Sequence, residues 1–433
     1  MNLKTAIFLM ATVGPWIPFD SLDAAQKSPT FSKDIAPILF KHCANCHRVG
    51  EVGPFPLLTF EDAHKRAKTL ATVVEKRLMP PWKAEDGPVA YHDNPRLSDG
   101  QIAIIKNWVA AGTPEGNRAD LPATPKFSTG WQLGQPDQIL QMSQEFNINS
   151  EGRDVYQCFV IPTGSTENQY ISAVEVRPGN RSVVHHVIAY TDTTGNGRKR
   201  DATTIEPGYR TFGGPGFFGA EWLDGWAPGK NPRHLPPGHG MLVPKGADII
   251  LEVHYKKSGK AETDQSQIGL HFCKDKVDKR VRVHSHAHGN LRIPAGEAHH
   301  SVTNIYTVPA AVTLLAVWPH MHLIGREMTV TAALPDGKMQ PMVRVTDWDF
   351  NWQLGYHFKE PLKFPARTKI TLKASYDNSE NNPANPSRPP KYVRWGEQTT
   401  DEMCIAFYAY TIDAERINHA PSKSKPGTGT TGR

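Results

Sequence analysis

Between residues 31 and 116, apolar side chains recur every three or four residues; beyond residue 130 they come in short runs. In the first stretch Ile35, Ile38 and Leu39 predict a helix running towards Cys43, capped by Ser32, with Pro37 held to its first turn. Ala63, Ala67, Leu70 and Val74 predict a second helix over Glu61 to Leu78. Ser98 and Gln101 make a capping-box pair ahead of Ile102, Ile105 and Val109, and Gly112 stops this third helix.

Ile171 to Val176, Ile249 to Tyr255, Val312 to Val317 and Ile370 to Tyr376 read as strands, because β-branched residues dominate them and turns bound them. The 36 prolines and 35 glycines mostly punctuate such runs, which favours strands over long helices. At 433 residues the chain has room for about three domains, each with its own core. The fold class expected is multidomain: a small all-α domain followed by two all-β antiparallel sandwiches. The expected spans are a leader at 1–25, the α domain at 26–116, a proline-containing linker at 117–126, sandwiches at 127–287 and 288–415, and a disordered tail at 416–433.

Lys4 followed by the apolar stretch Ala6 to Val13, with Ala24 and Ala25 near a cleavage point, reads as a secretory signal. Export to the periplasm or beyond is expected, with a retained N-terminal anchor as the alternative, since Pro15 and Trp16 make the signal irregular. No other stretch approaches the ~18 apolar residues of a transmembrane helix. The net charge of +6 is dispersed and clusters such as Arg198 to Arg200 are short, so no nucleic-acid partner is expected.

Cys43-Ala44-Asn45-Cys46-His47 has the form of a c-type haem attachment site, two thiols for thioethers and an adjacent imidazole for one axial position. A zinc site would need two more ligands and no second cysteine pair lies nearby; a redox dithiol would need a βαβ context, which is lacking. Met79 is the first choice for the second axial ligand, because Pro80-Pro81-Trp82 stiffens its segment and Met/His ligation suits electron transfer. His64 and His92 are the alternatives. Through these motifs and the closing helix with Trp108, residues 31–116 resemble the small class I bacterial cytochromes c, which implies one covalent haem c.

Four later segments carry metal-ligand chemistry. His185 and His186 are neighbours, and neighbours on a regular strand point to opposite faces, so one metal takes both only if the backbone distorts. His254 is a single strand histidine. His320-Met321-His322 is stronger, since alternate strand residues share a face, and Met403 adds a thioether. Imidazole with thioether suits copper in both oxidation states better than zinc or iron.

In order and spacing, VVHHVIAY, LEVHY, PHMHLIGRE and TTDEMC resemble the ligand motifs of the copper type II, ascorbate-dependent monooxygenases, the family of peptidylglycine α-hydroxylating and dopamine β-monooxygenases, over about residues 130–412. The resemblance implies two successive antiparallel jelly-roll sandwiches with one copper in each. His185, His186 and His254 would hold an electron-storing copper; His320, His322 and Met403 would hold the one that activates oxygen. Family members acting on peptides grip the substrate carboxylate with polar residues where this chain has Trp318, Ile405 and Phe407. An apolar trio cannot pair with that charge, so a peptidylglycine substrate is not expected and the three line a pocket for an apolar group or belong to the core. Cys404 loses its family partner to Ala374, whereas Cys158 matches a family disulfide cysteine with Cys273 as the offset partner. Three buried free cysteines is the alternative. The histidines at 284, 286, 288, 299 and 300 read as a polar interdomain loop.

The expected function is C–H hydroxylation of a small organic substrate by O2, with the fused haem relaying electrons from an external redox protein or small reductant. A copper and haem electron-transfer or redox-sensing protein is the rival, and a copper-storage or delivery module a third reading.

Overall fold

The computed structural model describes residues 28–127, 130–211 and 213–419, so the expected leader and all but the start of the expected tail lie outside the described residues. Helices are confined almost entirely to the N-terminal quarter. The first starts one turn earlier than the apolar spacing suggests: Thr30 donates its backbone N–H to Asp34 Oδ2 (2.8 Å), a π-helical turn spans Phe31–Ile35, and Ala36–His42 continues it with Pro37 in the first turn. Ser32 is buried within this element and does not cap it. The predicted second helix is two, Phe60–Lys65 and Ala67–Glu75, broken at Arg66 (φ −112°, ψ 9°), whose guanidinium lies over the Phe55 ring. Asp99–Ala110 has the full reciprocal capping box of Ser98 and Gln101, and Gly112 follows at φ +82°. The helices share a core around Phe31, Leu39, Leu70, Ile105 and Trp108. The expected linker has no regular structure apart from one 3₁₀ turn, Arg118–Asp120.

The remainder is β-sheet. In one five-stranded sheet Asp248–Tyr255 lies between Val155–Pro162 and Val184–Asp192; in a second, Gln169–Arg177 lies between Gln267–Phe272 and His239–Val243. Phe159, Val187 and Leu251 from the first meet Val174, Ile268 and Leu270 from the second in one core, which makes a sandwich. A second sandwich has two four-stranded sheets. One orders Arg282–Ala287, Ile405–Ile412, Val312–His320 and Tyr356–Phe364; the other orders His300–Thr307, Lys369–Tyr376, Gly325–Ala333 and Met339–Val345. The outer face of Val312–His320 and its neighbour adds Leu315, Ala316 and Ala409 to the first sandwich's core, so the two sandwiches share apolar surface.

Three expected boundaries move. Arg282–Ala287 pairs with Ile405–Ile412 along its whole length, so the second sandwich begins before residue 288 and His284 and His286 lie on a strand, not on an interdomain loop. Ile417 and His419 bond back to Asp278 and Val277, which ties down the first residues of the expected tail. Most informative is the stretch after Met79. Trp82, Ala84, Val89 and Tyr91 leave the helical core and join that of the second sandwich, with bridges from Ala84 to Val345 and from Tyr91 to Phe358.

Candidate functional site

The His185-His186 problem is resolved by a β-bulge. Val184 pairs with Tyr255 and His186 with His254, so His185 is an extra residue without a cross-strand partner. The bulge turns both rings to one side. The Nδ1 atoms of His185 and His186 are 3.2 Å apart, those of His185 and His254 3.2 Å, and those of His254 and His186 3.4 Å. Among the described residues this is the one group of three His, Cys, Asp or Glu side chains gathered as a metal site. A point equidistant from three such atoms lies about 1.9 Å from each, close to the ~2.0 Å of a metal–imidazole bond. The donor set therefore fits a cation.

The surroundings prepare these rings for that role. His254 Nε2 is 2.9 Å from Asp154 Oδ2, which makes Nε2 the donor and leaves the Nδ1 lone pair facing the other two rings. That hydrogen bond holds the Asp154 carboxyl below its usual range. Tyr156 stacks on His254 at 4.1 Å and 10°. Burial lowers the His185 pKa to about 4 and His186 well below the ordinary value, with the other imidazoles adding to the effect, so these rings are neutral and able to ligate at pH 7.

The second cluster sits where Val312–His320 ends. His320 and His322 have ring centroids 5.1 Å apart at 84°. Burial lowers their pKa values to about 3 and about 4. Gln353 Oε1 lies 2.6 Å from His320 Nδ1, which leaves Nε2 of that ring for a ligand, and His322 Nδ1 lies 3.2 Å from the Asp401 carbonyl, with the Gln398 backbone a further hydrogen-bond partner of that ring. Met403 is buried two residues before Ile405, the cross-strand partner of His320, in the turn that also carries Asp401 and Glu402. Glu402 fixes this turn to the other: its carboxylate accepts from the backbone N–H groups of His322 (2.8 Å), Ile324 (2.8 Å) and Met403 (3.1 Å). Burial pushes its pKa up to about 8, and those N–H groups pull against it.

Residues 292–426 match the C-terminal domain of copper type II ascorbate-dependent monooxygenases. The monooxygenase match takes in His320, His322 and Met403; His185, His186 and His254 precede it. The chain is also 24% identical over 281 residues, 59% of its length, to DBH-like monooxygenase protein 1 of Homo sapiens, of which it spans 43%. Among solved structures, peptide N-glycanase F (TM-score 0.23, 13% identity, 66% of this chain and 97% of that one) and the major capsid protein P2 of bacteriophage PM2 (TM-score 0.23, 9% identity, 66% and 99%) are similar only at a level that carries no argument.

Trp318 and Phe407 are opposite one another on the sheet face that carries His320. Trp222 of the first sandwich packs against both, 5.8 Å from Trp318 and 4.7 Å from Phe407, and Ile405 is buried. The expected Cys158–Cys273 disulfide is not formed. Cys158 lies with Tyr209 and Ile250, Cys273 with Tyr170 and Val277, in separate clusters, and all five cysteines are free. His286 is committed to Tyr408 Oη (2.9 Å) and Asn304 Oδ1 (3.2 Å), a structural role.

At the CANCH motif, the His47 and Cys46 backbone N–H groups both bond to the Cys43 carbonyl, folding the five residues into a turn at the end of the first helix. His47 Nδ1 is 3.0 Å from the Phe55 carbonyl, which leaves Nε2 available. A Cβ on Gly53 would stand 2.6 Å from the Cys46 carbonyl oxygen and 2.9 Å from His47 Nδ1, so only glycine fits beside this turn. Burial pushes the Cys43 thiol up to about 12. The motif abuts the first sandwich: Asn45 donates to Asn231 (2.6 Å) and Glu51 pairs with Arg181, four residues before His185. Asp154, Tyr156 and Gln353 each act on a histidine that only the fold brings near, and no local pattern marks them; Glu402 lies inside TTDEMC, but its bonds to His322 and Ile324 come from the fold.

Proposed function

We propose that the chain is an exported copper-dependent monooxygenase that hydroxylates a C–H bond of a small organic substrate with O2, taking electrons through a haem c on its own helical unit. The observation carrying this reading is the convergence of three Nδ1 atoms from His185, His186 and His254 beside a second imidazole pair inside the matched monooxygenase segment. When bound, two coppers supply one-electron chemistry and activation of O2. His185, His186 and His254 are assigned to one and His320, His322 and Met403 to the other. The chain's own residues keep the imidazoles neutral by burial, aim them through Asp154 and Gln353, and hold the Met403 turn through Glu402. Trp318 and Phe407 bring no positive charge next to His320, which favours an uncharged substrate.

The haem assignment rests on the CANCH turn and the free His47 Nε2. A Cys43 thiol held near pKa 12 disfavours a redox dithiol, which depends on a lowered value. The backbone N–H of His92 bonds to the His357 carbonyl, which carries that residue to the second sandwich, and His64 Nδ1 is engaged by Thr113 (2.6 Å); Met79 is kept as the proposed second axial ligand because Met/His ligation suits electron transfer. The Glu51–Arg181 contact supports delivery of electrons to the His185 cluster first, with an external reductant or redox protein refilling the haem. Export rests on the sequence of residues 1–25. Among the described residues no helix is long and apolar enough to cross a membrane.

The test is reoxidation of dithionite-reduced haem by O2 in copper-loaded protein, copper-free protein and copper-loaded His320→Ala. Fast reoxidation confined to the intact copper-loaded form is expected; equal rates in all three defeat the proposal. A second reading, electron transfer or redox sensing without oxygenation, is favoured by the packing of Trp222 against Trp318 and Phe407, which draws the expected pocket residues into an aromatic cluster.

A further inference from the structure

Phe350 touches both histidine clusters. Its ring stacks on His185 (centroids 6.1 Å, 22°) and meets His322 edge-on (5.8 Å, 79°), so one aromatic ring is in contact with an imidazole of each cluster. Phe350 belongs to the connection between the strands Met339–Val345 and Tyr356–Phe364, and that connection grips the second cluster twice more. Trp348 Nε1 donates to the His322 carbonyl (3.0 Å), and Gln353, which bonds to His320, donates through Nε2 to the Phe350 carbonyl (3.2 Å). Lys83 pairs with Asp347 (2.7 Å) and approaches Asp349 (4.0 Å), pinning the same loop from the helical side.

We infer that Phe350 is a positioning residue that couples the two clusters, its ring fixing their separation and keeping water out of the gap. This rests on the dicopper reading above. An apolar ring cannot ligate a metal or move a proton. It can hold two rings from different sandwiches at one distance and displace solvent whose reorganisation would oppose electron exchange.

The test uses full-length protein loaded with two equivalents of copper(II), read by pulsed dipolar electron paramagnetic resonance and by the deuterium modulation of the copper signals in D2O. The wild type is expected to give a single narrow inter-copper distance and weak deuterium modulation. Phe350→Ala is expected to lose the narrow distance and gain modulation while still binding two coppers. Phe350→Tyr is expected to restore both, which separates a specific role of the ring from general damage. An unchanged distance and modulation in Phe350→Ala overturn the inference while leaving the dicopper reading standing. Fewer than two coppers bound by the wild type overturn both.

Discussion

Tyr91 Oη donates a 2.7 Å hydrogen bond to the Met342 carbonyl, so a residue from the N-terminal helical unit closes the core of the second sandwich. Its ring also packs on Tyr356 at 5.4 Å and Phe358 at 6.0 Å. Tyr91→Ala is expected to cost roughly 3–5 kcal/mol, as removal of a buried aromatic does, and Tyr91→Phe about 1 kcal/mol for the hydrogen bond alone. Denaturant unfolding followed by tryptophan fluorescence measures both. A stability of Tyr91→Ala equal to wild type would mean that the strap contributes nothing to the sandwich.

Asp154 orients His254 without touching the converging Nδ1 atoms. Asp154→Asn offers a neutral acceptor that can also present its NH2 to the imidazole, weakening the preference for the productive tautomer. Copper affinity at this cluster is expected to fall about 10- to 100-fold, as for other residues that orient metal ligands. Competition against a copper chelator reads the change; an unaltered affinity would show that the bulge and burial alone align the ring.

Three backbone N–H groups point at the Glu402 carboxylate, and a carboxamide can accept from only one side. Glu402→Gln is therefore expected to cost about 1–3 kcal/mol through an unmatched buried donor, and to loosen the Met403 turn. Thermal melts of copper-free protein test the first effect. Copper X-ray absorption, in which a sulfur scatterer should weaken or disappear, tests the second.

Burial, reinforced by the charges of Lys230, Arg233 and His92, lowers the His357 pKa to about 3. An imidazole neutral in the fold but protonated near pH 6.5 once unfolded withdraws stability as pH falls below about 6.5, by up to roughly 1.4 kcal/mol per pH unit, until the folded value is reached. The melting temperature of copper-free protein should accordingly drop less between pH 7 and pH 5 in His357→Gln than in the wild type. Parallel drops would show that His357 gains its proton in the folded state.

Met79→Ala should change the axial ligation of the proposed haem, seen in its absorption spectrum and as a lower reduction potential. An unchanged spectrum removes Met79 from the ligand set.

Much of this was legible locally. Ser98 and Gln101 marked a helix start because capping is settled within one turn, and His320-Met321-His322 marked a ligand pair because alternation along a strand is fixed by the backbone. The His185-His186 pair was ambiguous for the same reason: whether both rings share a side depends on a register set by Tyr255 and His254, some seventy residues away, as the pairing shows. The split at Arg66 and the absent disulfide were missed because they follow from tertiary packing of Phe55 and from the separate cores that hold Cys158 and Cys273. The excursion of Trp82 to Tyr91 was hidden because a proline-rich connection looks alike whether it stays at home or crosses to a neighbour.

The bridges from Ala84 to Val345 and from Tyr91 to Phe358 fall on the outermost strands of the two sheets of the second sandwich. Open sheet borders of that kind are templates for pairing with another molecule. The segment after Met79 thus occupies both borders, and a chain expressed without it is expected to expose them to its own copies.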